Sequence, residues 1–257
     1  MLIPYIGITD FTSSKQVHSM LKVFRTHRRR GSQRKLHVGV MMSYKTLHGI
    51  PTKWSNAFPQ KETIASIFSY NDDVYNCLHY ADYEDCPVLS RNLSRAISCG
   101  GIGIHALQLD MVWPDPGQVA DGIHSSRKQI EVVLQVGRRA LDETENNPHL
   151  LVEKLADYEG VINRVLLDKS GGEGRSMNAV ELLPFARAIR EKFPKLGLVV
   201  AGGLGPETMH LVEPLVREFP ELSIDAQGKL RLSGNALDPV DWKMAGAYLV
   251  KALELLR

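Results

Sequence analysis

The sequence predicts an α/β fold, a closed parallel (β/α)8 barrel of the TIM type, on three observations. Short apolar runs alternate with longer amphipathic stretches, and the alternation repeats eight times along the chain. Consecutive βα units imply right-handed crossovers and therefore a parallel sheet. Eight such units in 257 residues suit a barrel, which commonly occupies this length as one unit, better than an open doubly wound sheet. No linker, low-complexity tract or solenoid-period repeat interrupts the pattern, so residues 1–257 read as a single domain.

Strands are expected at 2–8, 36–42, 74–80, 104–110, 130–136, 161–168, 196–201 and 222–226. Helices are expected near 13–29, 60–70, 86–99, 115–125, 148–158, 179–193, 206–218 and 239–256. Taken in order, the first helix ends in a basic run from Arg25 through Arg28, Arg29, Arg30 and Arg34 to Lys35, which leads into the second strand. In a barrel that connection lies on the stability face, so a solvated turn is expected there rather than a nucleic-acid patch. The second strand is followed by the longest connection on the opposite face, Ser43 to Pro59, carrying Tyr44, Lys45, His48, Lys53 and Trp54. Barrel βα loops are usually shorter, and long ones tend to be binding loops or lids. After the fourth strand, Trp113-Pro114 is placed to wall the mouth or to pack beneath it. The sixth helix has a core-facing stripe of Leu182, Phe185, Ala186, Ile189 and Phe193. Gly205-Pro206-Glu207 puts a proline and an acid at the start of the seventh, and Asp238-Pro239 with Asp241 does the same for the last.

Composition narrows the function classes. A hydrophobic fraction of 44% supplies a large core, and a formal net charge of +2 gives no reason to invoke nucleic acid. Cys77, Cys86 and Cys99 are odd in number and lack CxxC spacing, which fits reduced thiols. Met1-Leu2-Ile3-Pro4-Tyr5 lacks the basic and apolar regions of a secretory signal, and no apolar run approaches a membrane span. A cytoplasmic protein is expected, with no membrane partner and the oligomeric state left open, a homo-oligomer included. His37, His48, His79, His105 and Asp82 are scattered without an HxH or HExxH arrangement, so His79 and His105 read as packing residues and no metal is required.

Chemistry concentrates at the strand ends. Asp110, Asp168 and Asp225 close the fourth, sixth and eighth strands, where a barrel directs polar side chains into its mouth. Alternation places Gln108 with Asp110, and Arg164 with Asp168, on shared faces. Glycine pairs follow two strands, in Ser170-Gly171-Gly172-Glu173-Gly174 and Ala201-Gly202-Gly203-Leu204-Gly205. Bare glycine amides ahead of a helix favour an anion, and Ala226-Gln227-Gly228 adds a further turn of donors. Barrels often bind phosphate after strands seven and eight, which makes a small phosphorylated metabolite the expected partner.

Gly7-Ile8-Thr9, Leu107-Gln108-Leu109, Leu166-Leu167-Asp168 with the Gly171–Gly174 loop, and Ala201-Gly202-Gly203-Leu204-Gly205-Pro206-Glu207 occur in that order. Together they resemble phosphoribosylanthranilate isomerase over most of the chain, most specifically from the sixth strand to the seventh. The resemblance implies an Amadori-type rearrangement without a cofactor, with Asp168 as the general acid. It also implies phosphate held by the seventh and eighth loops and ligand contacts at Gly171 and Gly172. The chain departs from that family at several places, among them Ala226-Gln227-Gly228 where the family has Ser-Ser-Gly. Ile6 stands where the family has its basic cysteine, and Asp110 where it has histidine. Lys45 is the nearest substitute for a substrate-contacting arginine, and Met177-Asn178-Ala179 replaces Phe-Asp-Trp. The expected function is therefore a divergent isomerase with Asp168 as acid and Asp110 as replacement base, and with Asp225, Gln227 and Gly228 at the ligand. Two other readings stand beside it: a barrel that binds a phosphorylated ligand without turnover, and a Schiff-base aldolase using Lys169.

Overall fold

The computed structural model describes residues 2–55, 57–83, 88–170 and 177–256. Eight parallel strands close in sequence order: β1 (Tyr5–Thr9), β2 (Lys35–Ser43), β3 (Val74–Ala81), β4 (Ala106–Asp110), β5 (Glu131–Gly137), β6 (Arg164–Asp168), β7 (Gly197–Val200) and β8 (Ser223–Ala226). The final ladder pairs β1 with β8, Gly7 opposite Asp225, so no sheet edge remains. The expected barrel is the observed one.

The main crossover helices are α1 (Ser14–His27), α4 (Leu89–Cys99), α5 (Pro116–Ser126), α7 (Pro148–Ala156), α8 (Ala179–Lys192) and α10 (Trp242–Leu255). Most of them begin at a side-chain cap. Ser13 and Gln16 form a reciprocal capping box at α1. Asp115 and Asn147 cap α5 and α7, each ahead of a proline in the first turn. Leu182, Phe185, Ala186 and Ile189 of α8 are buried as the apolar period requires, while Phe193 ends the helix as its cap.

Three expected helices are shorter than the pattern suggests, and each has a competing interaction. Residues 206–218 become a 3₁₀ turn at Met209–Val212 followed by α9 (Glu213–Glu218). The Thr208 hydroxyl accepts the Gly205 N–H at 2.9 Å and donates to the Gly203 carbonyl at 2.7 Å, holding the segment as a turn. Residues 60–70 form a 3₁₀ turn at Lys61–Thr63 and the one-turn α3 (Ile64–Ile67). There the Asn76 side chain bonds both the N–H and the carbonyl of Ser69 and draws the chain out of helix. The last helix starts at Trp242 rather than Pro239, because the Asp241 carboxylate accepts from the N–H groups of Lys243 and Met244. Two helices that the sequence pattern did not suggest, α2 (Tyr44–His48) and α6 (Arg138–Glu143), sit directly after β2 and β5.

Two shells of packing follow from strand alternation. Ile6, Ile8, Val38, Val40, Leu107, Val165 and Leu167 point outward and are buried with the helices. The inward set is strongly polar. At the N-terminal end Arg164 lies between Tyr5 and Tyr75, its guanidinium carbon 5.2 Å from each ring centre, with its Nε 2.6 Å from Glu131. Arg164 therefore shares Asp168's face, as expected, but plugs the opposite end of the barrel. Arg34 closes the same end by donating to the carbonyls of Leu256, Leu222 and Pro220. Of the rest of the basic run, Arg25 and Arg28 share Asp73.

Candidate functional site

A cavity of about 1250 Å3 opens at the C-terminal end of the strands. A smaller hollow of about 600 Å3 lies at the other end, where two of the lining cations are already engaged. Arg164 is bonded to Glu131, and Lys128 to the carbonyls of Ile97 and Gly101. The larger cavity is therefore the candidate site.

Asp110, Asp168, Asp225, Gly202, Gly203, Gln227, Gly228 and Lys45 all line it. Gly171 and Gly172 lie outside the described residues. Asp110 accepts a hydrogen bond of 2.6 Å from the Tyr83 hydroxyl. Burial raises its proton affinity, Tyr83 opposes that rise, and the nearby charge of Asp168 adds to it. One oxygen of Asp168 accepts both the N–H and the hydroxyl of Ser170, at 2.8 and 2.6 Å, which fixes the carboxylate at the end of β6.

Gly202 is required where it stands. Its φ is +103°, and a Cβ there would lie 2.7 Å from Asp168 Oδ1. The glycine turn after β7 and the acid after β6 are thus built against one another. Across the mouth, Asp10, with φ of +79°, is buried against Arg231 as an ion pair and accepts from Gln227 at 3.2 Å. That contact ties the loops after β1 and β8, so Gln227 faces the cavity while anchored from behind.

The floor is built from histidines to which the sequence reading gave no role at the site. His37 and His79 are fully buried inside the barrel, and their Nε2 atoms are 3.3 Å apart. Burial holds both imidazoles neutral, His79 with its pKa pushed down to about 3 and His37 in the same direction. His37 Nδ1 has no hydrogen-bond partner and sits 3.8 Å from Asp225 Oδ1. Burial raises the Asp225 carboxyl to about 7, against a lowering by the Thr9 hydroxyl, which bonds both carboxylate oxygens at 2.9 and 3.1 Å. Two glycines make room for these groups. A Cβ on Gly7 would run into Asp225, and one on Gly39 would come within 2.6 Å of Thr9 Oγ1 and 3.0 Å of His79 Nε2.

Several cavity residues escaped the sequence reading. Arg138 and Arg139 come from α6, and Lys229 from the 3₁₀ turn after β8. Lys53 and Trp54 of the long 43–59 connection do reach the cavity, as a binding loop should. Tyr83 and Gln135, which donates no signal beyond its parity on β5, were not anticipated; Gln108 bonds Gln135 at 2.8 Å. Parity on β2 and β3 was the available signal for His37, Cys77 and His79, since each alternates with an outward aliphatic residue.

Other expectations change. Ile6, at the position of the family's base, faces the helix layer and could not present any side chain to the mouth. Lys169 pairs with Glu181 at 3.5 Å and lies over Phe185 of α8, and it is not among the residues lining the cavity, so the aldolase reading loses the lysine it named. Trp113 turns onto α6, donating to the Ala140 carbonyl, while Met111 and Val112 form that part of the wall. His48 bonds Asn92, and His105 accepts from the Asn76 N–H. Among the described residues no helix is long and apolar enough to cross a membrane.

No family model and no curated protein matches the chain in sequence. Solved structures match it in fold. A domain of a thermostable chitinase from Pyrococcus furiosus, crystallised with chito-oligosaccharides, superposes with a TM-score of 0.56 at 11% identity, over 97% of this chain and 94% of that one. A phosphonopyruvate hydrolase gives a TM-score of 0.47 at 13% identity, over 84% and 80%. At 11% identity the likeness to the chitinase domain shows the barrel fold and nothing of its chemistry.

Proposed function

We propose that the chain is an acid/base isomerase acting on a small phosphorylated sugar-type metabolite, a divergent counterpart of phosphoribosylanthranilate isomerase. The observation that carries this reading is the pair Asp110 and Asp168. Both line one cavity, near enough for the charge of Asp168 to raise the proton affinity of Asp110. A carboxylate with raised affinity is a stronger base at neutral pH, which suits Asp110 to take the C–H proton of the substrate. Asp168, at the end of β6 two strands along the barrel, takes the complementary step: it takes up a proton from solvent and passes it to the sugar oxygen.

The phosphate half of the reading draws on the loops after β7 and β8. With α9 beginning only at Glu213, it rests on the amides of Gly202, Gly203 and Gly228 and on cavity cations such as Lys229 and Arg139, without a helix terminus. Lys45 and Lys53 approach from the long connection after β2 and give the far side of the cavity its positive charge.

The test is turnover on a panel of phosphorylated aldoses, ketoses and N-glycosides, phosphoribosylanthranilate included. Asp110→Asn and Asp168→Asn should each abolish conversion while phosphate-ligand affinity, measured by calorimetry, stays within a few fold. Full turnover in either variant removes the assignment. A ligand that binds the native protein and is never converted favours the alternative of a binding barrel.

A further inference from the structure

We propose that His37, Cys77 and His79 form a zinc site in the barrel interior, directly under the cavity floor, with Asp225 supporting His37 from behind. The inference is independent of which substrate the cavity takes.

The three side chains come from two adjacent strands and face the same space. His37 lies on β2, and Cys77 and His79 lie on β3; their ligating atoms all fall within 4.8 Å of one another, with all three residues buried. Two ligands at about 2.05 Å from a tetrahedral ion stand roughly 3.3 Å apart. The Nε2 atoms of His37 and His79 stand 3.3 Å apart. Without an ion, two neutral imidazoles must share one hydrogen bond at that distance; with one, both lone pairs are used.

Gly39 supplies a second, independent observation. It is the register partner of Cys77 and sits between His37 and Met41 on the inward face of β2. A Cβ at Gly39 would meet Thr9 Oγ1, His79 Nε2 and His37 Cε1, all within 3.1 Å. Glycine in a strand centre weakens the strand and marks a close approach. Here the missing side chain keeps open the volume between the two imidazoles and the Thr9 hydroxyl.

Asp225 completes the arrangement. A zinc-bound histidine usually gives its other ring N–H to a carboxylate, which fixes the tautomer and raises ligand basicity. His37 Nδ1 is buried, unpartnered and 3.8 Å from Asp225 Oδ1, the geometry of that contact slightly opened. A mixed thiolate–imidazole set selects zinc over divalent ions that prefer oxygen, such as magnesium and calcium. Binding replaces the Cys77 S–H bond with an S–Zn bond and releases the proton to solvent. His79 and Asp225 also line the cavity, which gives the ion its route in and leaves its fourth position towards the floor.

The test uses Co2+ and Zn2+ on full-length protein stripped with chelator. In a Cys86→Ser/Cys99→Ser background Cys77 is the sole thiol, because the chain has three cysteines. That protein should bind one equivalent of Co2+ with a thiolate-to-cobalt charge-transfer band and tetrahedral d–d bands, and Zn2+ should displace it and raise the melting midpoint. His79→Gln and Cys77→Ser should remove stoichiometric binding, and Asp225→Asn should weaken it about 10–100-fold. Where a variant does not fold, the band in the sole-thiol protein decides. Absence of that band, or one equivalent of metal retained by folded Cys77→Ser and His79→Gln alike, overturns the site.

Discussion

Gly7 and Asp225 face each other across the β1–β8 ladder, and the Asp225 carboxylate occupies the space where a side chain on Gly7 would begin. The same added atom would lie 3.0 Å from His37 Nδ1. Gly7→Ala should therefore cost about 1–3 kcal/mol, the usual penalty for forcing an extra carbon into a packed interior. Shortening the carboxylate in Gly7→Ala/Asp225→Ala removes the collision, so the double variant should be more stable than the sum of its singles. Urea denaturation of the four proteins measures that coupling. Additive losses would mean that the strands shift instead.

The Asp10–Arg231 pair makes a different prediction, because here two charges are buried together. Burial raises the proton affinity of Asp10 and Arg231 lowers it. Arg231→Met leaves the carboxylate without its cation and should destabilise by about 3–5 kcal/mol. Asp10→Asn/Arg231→Met removes both charges and should recover most of that loss, as seen in denaturant midpoints. Recovery also bears on the cavity, since Gln227 leans on Asp10 and should lose its fixed orientation in Arg231→Met.

The barrel was legible in the sequence because its outer shell follows simple rules: apolar runs such as Val165-Leu166-Leu167, and capping residues such as Ser13 and Asp115. Part of what went unread is short-range side-chain bonding that outcompetes the helical pattern: Thr208 holds 205–208 as a turn, and Asn76 draws Ser69 out of a helix. The strand-end acids were visible as positions, and all three do line the cavity. The floor was not, because His37 and His79 are 42 residues apart and meet only when β2 and β3 pair. Gly7 and Gly39 look like ordinary strand glycines until the groups they admit are seen.

Asp110 carries a pH prediction with a defined sign. Its folded-state proton affinity is raised, so the folded form binds its proton at pH values where the unfolded chain has lost it. Its contribution to stability is then favourable below the ordinary carboxylate range and is lost as pH rises through the raised value. Carbon-13 titration of labelled aspartates, assigned with Asp110→Asn, should place its midpoint above about 3.9. Tyr83→Phe removes a hydrogen bond that favours the anion and should move the midpoint higher. Asp168→Asn removes a like charge and should move it lower. Shifts in the opposite directions would remove Asp110 from the role of tuned base.

Gly202 and Gly228 offer a contrast that separates backbone strain from ligand contact. Gly202 has a φ of +103°, and a Cβ there would meet Asp168 Oδ1 at 2.7 Å and Ser170 Cβ at 3.0 Å. Gly202→Ala must therefore strain the backbone, about 1–3 kcal/mol for a non-glycine residue in such a region. It must also push Asp168 off the Ser170 bonds that hold it. At Gly228 an added Cβ would meet only the Gly234 carbonyl at 3.8 Å, an ordinary contact. Gly228→Ala should leave the melting midpoint close to the native value, since a surface change without strain stays within about 0.5 kcal/mol. Phosphate-ligand calorimetry on the two variants then reads the loops separately. Gly202→Ala should lose both stability and affinity. Gly228→Ala should keep stability and lose affinity only in so far as the methyl shields the amide from the anion. Unchanged affinity in both variants would move the anion away from these loops and onto the lysines and arginines of the opposite rim.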